Sequence, residues 1–100
     1  MEKRDYLNIL YEYYFELLTE KEQTTFKDYY EFDFSLSEIA EYNNITKSGI
    51  HKTIKTVEEK LISYENKLKM YQKREEILSL IEQTNDKELY DKIDKIVWQV

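Results

Sequence analysis

The feature that most constrains the fold of this chain is its lack of turn-forming residues: 100 residues include one Gly and no Pro. Tight hairpin turns depend on such residues, so a β-sandwich or β-barrel is disfavoured. Leu, Ile, Val and Phe together number 27, which is enough to form a hydrophobic core. The absence of Cys excludes disulfides and thiolate metal sites. The composition therefore predicts one small all-α domain spanning residues 1–100.

Apolar residues recur at three- and four-residue spacing along most of the chain, which is the period of an amphipathic helix. A first helix is predicted over residues 3–18. Capping-box patterns at Thr19 and Ser35 mark the starts of a second and a third helix. Thr46 is predicted to cap a long fourth helix, whose apolar stripe changes phase and indicates a kink, or a stagger in the partner surface, near residues 70–74. We expect more than 70% helix and no sheet, against a base rate of ~30–35% helix.

Residues 35–57 fit a helix-turn-helix. Ala40 supplies the small residue that is needed where the first helix of the motif touches the second. Asn44, four positions later, tolerates the left-handed conformation of the turn, and Ile45 is expected to plug the corner. The residues of this region that we expect to be buried are Ile39, Ala40, Ile45, Ile50, Ile54, Val57 and Leu61.

Charge is distributed unevenly along a chain whose formal net charge is −6. Residues 1–45 carry four basic against eleven acidic residues, whereas residues 46–60 carry four Lys against two Glu and form the only positive window. The outward positions of the second helix of the motif would meet base edges and phosphates if it reads DNA, or would be solvated in a protein-binding helix. That helix has no Arg, which lowers the expectation of specific base readout. The candidate nucleic-acid-binding residues are Lys47, Ser48, His51, Lys52 and Lys55.

The fourth helix and the C-terminal helices after it are predicted to extend beyond a compact core. The apolar stripe from Ile50 to Tyr71 is about 32 Å long at ~1.5 Å per residue, whereas a 100-residue domain has a radius of gyration of only ~13 Å. The C-terminal helices at 68–98, the last of them predicted at 86–98, either fold back over this surface or pair with a second chain. We favour a homodimer. The candidate interface residues are Leu68, Tyr71, Ile77, Leu78, Ile81, Ile93 and Trp98.

No pattern in the chain is typical of an enzyme or of a bound cofactor. His51 is the only His, so a metal site would lack ligands, and neither a Gly-rich loop nor a nucleophile–base pair is evident. The apolar runs are far shorter than the ~20 residues that span a membrane. The charged first residues do not fit a signal peptide. We expect a non-enzymatic, cytoplasmic protein without cofactor or membrane contact.

Several segments resemble the bacterial YlxM family, whose helix-turn-helix is similar to region 4 of sigma factors. The segments that carry the similarity are Leu17–Gln23, Tyr29-Tyr30, Ser35–Glu41, Ile45–Ile50, Ile54–Leu61 and Tyr64–Leu68. Genes of that family lie beside those for the GTPase of the signal recognition particle or its receptor. The resemblance therefore implies a regulatory role in the signal recognition particle pathway, through contacts with the particle's protein or RNA. The alternative is a DNA-binding transcriptional regulator of the helix-turn-helix type.

Overall fold

A computed structural model describes residues 1–98 of the chain. Its helices are α1 (Lys3–Tyr14), α2 (Glu20–Tyr30), α3 (Leu36–Asn43), α4 (Lys47–Leu68), α5 (Met70–Glu82) and α6 (Lys87–Trp98), with one 3-10 turn at Phe15–Leu17. No strand occurs among the described residues. The predicted all-α class is confirmed, and helices exceed the expected 70% of this range.

Helix α4 is the centre of the fold, because α1, α2 and α3 all pack against it. The apolar stripe predicted for α4 forms the inner wall of the core. The core residues with the least exposed side chains are Leu7, Leu10, Phe26, Ile39, Ile50, Val57 and Leu61. Burying one side chain of this size stabilises a fold by about 1.5–3 kcal/mol. Of the residues expected to be buried in the helix-turn-helix region, Ile45 alone lies outside this core.

Both predicted capping boxes form. At the start of α2 the Thr19 hydroxyl accepts a hydrogen bond from the Glu22 N–H at 3.2 Å, and the Glu22 carboxylate accepts one from the Thr19 N–H at 2.9 Å. Ser35 and Glu38 make the same reciprocal pair at the start of α3. The first helix ends at Tyr14 rather than at residue 18, because the chain tightens into the 3-10 turn before it reaches the cap of α2.

The predicted interruption of the long helix is present, but it is a complete break at Lys69 rather than a kink within residues 70–74. The backbone of Lys69 has φ 56° and ψ 32°, a left-handed conformation that an α-helix cannot continue through. Helix α4 therefore ends one residue earlier, and α5 begins at the next residue as a separate helix.

A buried carboxylate organises this break. Glu65, in the last turn of α4, accepts hydrogen bonds from the N–H groups of Tyr71 at 3.2 Å and Gln72 at 3.1 Å, and so caps the start of α5. The Tyr14 hydroxyl of α1 donates to the same carboxylate at 2.6 Å and accepts from the Met70 N–H at 3.1 Å. Three helices thus meet at one side chain that is only 5% exposed.

Helices α5 and α6 form an arm that extends the molecule beyond the α1–α4 core. They pack on each other, and Asp94 accepts hydrogen bonds from Arg74 at 2.8 and 3.2 Å. The Cα radius of gyration is 16.5 Å and the extents are 53 × 24 × 22 Å. This exceeds the ~13 Å that is typical of a compact chain of 100 residues.

The ion pair between α2 and α4 makes stability depend on pH. Lys60 Nζ lies 2.7 Å from Glu22 Oε2. Burial alone would raise the pKa of Glu22, but hydrogen bonds from Lys60 and Thr19 outweigh it and hold the pKa below its ordinary value of 4.5. A lowered folded-state pKa adds stability above the unfolded value, and this is lost as pH falls through the folded value.

We therefore expect Glu22→Gln, which keeps an acceptor for the capping box, to remove this part of the acid sensitivity. The free energy of unfolding of the wild-type chain should decline more steeply than that of the variant from about pH 5 downwards. Urea denaturation across the acid range measures both slopes. Equal slopes for the two proteins would show that the pair does not shift the pKa of Glu22.

Candidate nucleic-acid interface

The turn of the helix-turn-helix is built by local hydrogen bonds. Asn44 adopts the predicted left-handed conformation, with φ 54° and ψ 39°. The Ile45 N–H donates to the Ala40 carbonyl at 3.1 Å, which closes the end of α3 as in a Schellman motif. The Thr46 hydroxyl then accepts from the Gly49 N–H at 3.0 Å and caps α4. The predicted turn is confirmed at Asn44 and at Thr46.

The corner between α3 and α4 is filled differently from the prediction. Ala40 is buried between the two helices, as expected, together with Ile39 and Ile50. Ile45 is 37% exposed and does not plug the corner. Its side chain lies over the first turn of α4, with Cγ2 4.0 Å from the position that a Cβ on Gly49 would occupy. The prediction for Ile45 is wrong: its side chain lies beside Gly49 in the first turn of α4, and Ile39, Ala40 and Ile50 fill the corner instead.

The five candidate nucleic-acid-binding residues all lie exposed on the first three turns of α4. They do not contribute charge equally. Lys55 Nζ lies 3.8 Å from the carboxylate of Glu58, which also pairs with Lys3 at 3.6 Å. Within residues 1–98, neither Lys47 nor Lys52 has a carboxylate at ion-pair distance.

We call the exposed surface formed by Lys47, Ser48, His51 and Lys52 the α4 face. The first turn of α4 contains no acidic residue, in contrast to the first turns of α2 and α3. The positive end of the helix dipole is therefore not compensated by a carboxylate of its own first turn. An anionic ligand would meet two lysines and this partial positive charge together.

Helix α2 adds a cation that sequence reasoning missed. A shallow depression of about 280 Å³ joins the α2 N-terminus to α4, and Lys21 and Lys52 both line it. Thr19, Thr53 and Thr56 line it too, together with Glu22, whose carboxylate is paired with Lys60. Lys21 belongs to the acidic part of the sequence, so only the packing of α2 on α4 reveals its place beside the α4 face.

Two buried Tyr–Glu hydrogen bonds hold α4 in position. The Tyr30 hydroxyl of α2 donates to Glu58, and the Tyr14 hydroxyl of α1 donates to Glu65. Burial and the hydrogen bond to Glu58 raise the pKa of Tyr30 above its ordinary value, so the phenol keeps its proton. Charge patterning did not predict these contacts. Their positions in the sequence could have revealed them. Glu58 lies three residues before Leu61 and Glu65 lies four residues after it, so both share the helix face of the apolar stripe.

The candidate interface residues of the C-terminal helices are partly covered by the chain itself. Leu78 and Ile81 are buried, and Tyr71 packs its ring against Tyr6 and Tyr13 of α1. The rest are more open: Leu68 is 48% exposed, Ile77 is 39% exposed, and Ile93 is half-buried. The side chain of Trp98 lies outside the described residues. Self-association through this surface stays a prediction.

No helix among the described residues is long and apolar enough to cross a membrane. In the same part of the chain, no three His, Asp or Glu side chains are grouped so that they could hold a metal ion.

The sequence matches one protein family along almost its whole length. The profile of the UPF0122 family, described as helix-turn-helix protein, YlxM / p13 like, matches residues 1–98. A UPF0122 protein of Clostridium acetobutylicum is 44% identical over 96 residues, which cover 96% of this chain and 82% of that protein. A UPF0122 protein of Oceanobacillus iheyensis is 36% identical over 100 residues, which cover 96% of this chain and 95% of that protein. A UPF0122 protein of Listeria monocytogenes serotype 4b is 43% identical over 84 residues, which cover 81% of this chain and 76% of that protein.

Proposed function

Because this chain belongs to the YlxM/p13-like family of helix-turn-helix proteins, we propose that it is a non-enzymatic regulatory protein of the signal recognition particle pathway. In this proposal the α4 face contacts the RNA of the particle. The observation that carries the nucleic-acid contact is the exposure of Lys47 and Lys52, without an ion-pair partner among residues 1–98, on an otherwise acidic molecule.

The chemistry of the α4 face suits phosphates better than bases. Lys is a flexible point charge, whereas Arg makes the bidentate contacts that most often read guanine, and α4 has no Arg. The major groove of an RNA helix is too deep and narrow for side chains to read. A helix that approaches an RNA hairpin would therefore contact its backbone, and in this proposal Lys47 and Lys52 make the phosphate contacts.

The acidic remainder of the molecule restricts how RNA can approach. Residues 1–45, which include α1, α2 and α3, carry eleven acidic residues against four basic ones. Their field repels phosphates and attracts basic surfaces, which RNA-binding proteins usually expose. In the proposed arrangement the α4 face points toward RNA, and the acidic helices point toward the protein of the particle.

A DNA-binding transcriptional regulator is the second candidate function. The observation in its favour is the geometry of the motif: a left-handed Asn44, a buried Ala40 where α3 meets α4, and a capped α4 whose first turns are exposed. The second helix of such a motif enters the major groove of B-DNA, which is about 12 Å wide. Without Arg on α4, we expect weak duplex binding that disappears near physiological salt.

Charge reversal on the α4 face tests the nucleic-acid contact. We expect Lys47→Glu with Lys52→Glu to weaken binding to the particle's RNA hairpin by about 10–100-fold and to make it less sensitive to salt, because phosphate contacts release counterions. Fluorescence anisotropy at several salt concentrations measures both effects. The matched control is Lys67→Glu with Lys73→Glu, which makes the same charge change at exposed lysines in the last turn of α4 and in α5. Lys67 lies about 22 Å beyond Lys52 along α4 at ~1.5 Å per residue, so this control should bind nearly as the wild type does.

Three results would contradict parts of this proposal. Equal losses for the two double variants would mean that net charge matters and the α4 face does not. Unchanged RNA binding by the first variant would exclude the α4 face. Selection of one DNA duplex from a random pool with nanomolar affinity at physiological salt would favour the transcriptional regulator.

A further inference from the structure

A groove between α2 and α3 lies apart from the α4 face. Its volume is about 490 Å³, and its lining residues are Thr24, Asp28, Phe34, Glu38, Ile39 and Tyr42. The loop between the helices forms one end, because the Phe34 N–H donates to the Asp28 carbonyl at 2.9 Å and holds the loop against α2. The groove thus has a buried apolar floor at Ile39 and aromatic side chains at its rim.

The aromatic residues of this region are unusually exposed. Tyr42 is 87% exposed and Phe34 is 45% exposed. Phe32, which is 53% exposed, lies beside Phe34 with ring centroids 6.2 Å apart. Aromatic side chains contribute large contact areas when they become buried, and exposed apolar patches with polar rims mark interaction surfaces. The core of residues 1–98 does not use these three rings.

The rim of the groove is acidic. Asp28 and Glu38 line it, and within residues 1–98 neither has a Lys or Arg nitrogen at ion-pair distance. Hydrogen bonds from Ser35 lower the pKa of the Glu38 carboxyl, and the bond from the Ser35 backbone N–H has the largest effect. The carboxyl is therefore ionised at neutral pH. A nucleic acid would be repelled here, whereas a cationic ligand would be attracted.

We propose that this groove binds a basic amphipathic helix of a partner protein, with apolar side chains against Phe34 and Tyr42 and with Lys or Arg beside Asp28 and Glu38. An amphipathic helix presents apolar side chains at i, i+3, i+4 and i+7 to a groove, and its basic residues lie on the flanks of that stripe. The lining combines the two matching surfaces, exposed aromatic side chains and two carboxylates that have no ion-pair partner among residues 1–98. This contact uses α2 and α3 and does not depend on nucleic-acid binding by the α4 face.

The probe is a fluorescein-labelled peptide of Leu and Lys, about 14 residues long, with Leu at helical spacing over four turns. One comparison peptide has the same composition in an order that destroys the apolar stripe. Another has Glu in place of every Lys. Anisotropy titrations at physiological salt should show binding of the first peptide, at least tenfold weaker binding of the reordered peptide, and none of the Glu peptide.

Variants then locate the contact. Tyr42→Ser, at a residue that the core does not need, should weaken binding of the Leu/Lys peptide at least tenfold. Asp28→Asn with Glu38→Gln should weaken it at least fivefold; Gln at residue 38 still allows a capping box. The matched control is Glu59→Gln with Glu82→Gln, which removes two exposed carboxylates elsewhere and should leave affinity within twofold.

The outcomes are separable from those for the α4 face. Lys47→Glu with Lys52→Glu should not weaken peptide binding, and the groove variants should not weaken RNA binding. Equal losses for the two carboxylate pairs would mean general charge attraction and would overturn the proposal. Full affinity in Tyr42→Ser, or binding of the reordered peptide as tightly as the amphipathic one, would overturn it too.

Discussion

Replacing Glu65 with Ala is expected to lower the free energy of unfolding by about 3 kcal/mol, since each buried donor left without a partner costs about 1–3 kcal/mol. The carboxylate serves the Tyr14 hydroxyl and the N–H groups of Tyr71 and Gln72. Removing it leaves the Tyr14 hydroxyl of α1 and two N–H groups in the first turn of α5 without this acceptor. Urea denaturation followed by far-UV circular dichroism measures the loss, which would be a large part of the ~5–15 kcal/mol typical of small domains.

Two further variants, Glu65→Gln and Glu59→Ala, test whether the loss of stability comes from the hydrogen bonds of the Glu65 carboxylate. In Glu65→Gln the side chain keeps its size but has one acceptor oxygen, whereas both carboxylate oxygens are used in the native contact. We expect about half the loss that the Ala variant shows. Glu59→Ala, an exposed position on the same helix, should change stability by less than about 0.5 kcal/mol. Wild-type stability in Glu65→Ala would mean that the break at Lys69 forms without this cap.

Ala40→Leu is expected to destabilise the fold by about 1–3 kcal/mol through overpacking. Ala40 is 5% exposed where α3 packs against α4, and its carbonyl accepts the Ile45 N–H that closes the turn. A larger side chain must push the helices apart and disturb that hydrogen bond. For a chain of this size the melting temperature should fall by roughly 4–8 °C per kcal/mol.

The matched control adds the same side chain where there is room. Glu41→Leu places Leu at the next residue of α3, which is exposed, and should leave the melting temperature close to that of the wild type. A melting temperature unchanged by Ala40→Leu would contradict the contact between α3 and α4 and, with it, the register of the helix-turn-helix.

Local chemistry made much of this fold predictable. The capping boxes at Thr19 and Ser35 and the left-handed turn at Asn44 depend on residues within four positions of each other, and all three formed as predicted. The apolar stripe of α4 was predictable for a similar reason, because helical periodicity is a property of one segment. The exposure of the α4 face followed from that stripe.

Two of the failures, at Lys69 and Lys21, arise from contacts between distant segments. Nothing in the type of residue at Lys69 signals a helix break; the break accompanies a hydrogen bond between Tyr14 and Glu65, which are 51 residues apart in sequence. Lys21 reaches the candidate interface only through the packing of α2 on α4. Ile45 was misplaced because its direction depends on how the chain leaves the turn, which apolar character alone does not specify.

The break at Lys69 also has a mechanical consequence. Helix α5 is a rod of 13 residues, or about 20 Å at ~1.5 Å per residue. A rotation of about 10° at its base displaces its far end by about 3.5 Å over that length. The contact between Tyr14 and Glu65 lies at the base of this rod, so any rotation of α1 on α4 that carried α5 with it would produce its largest displacement at the tip of the arm.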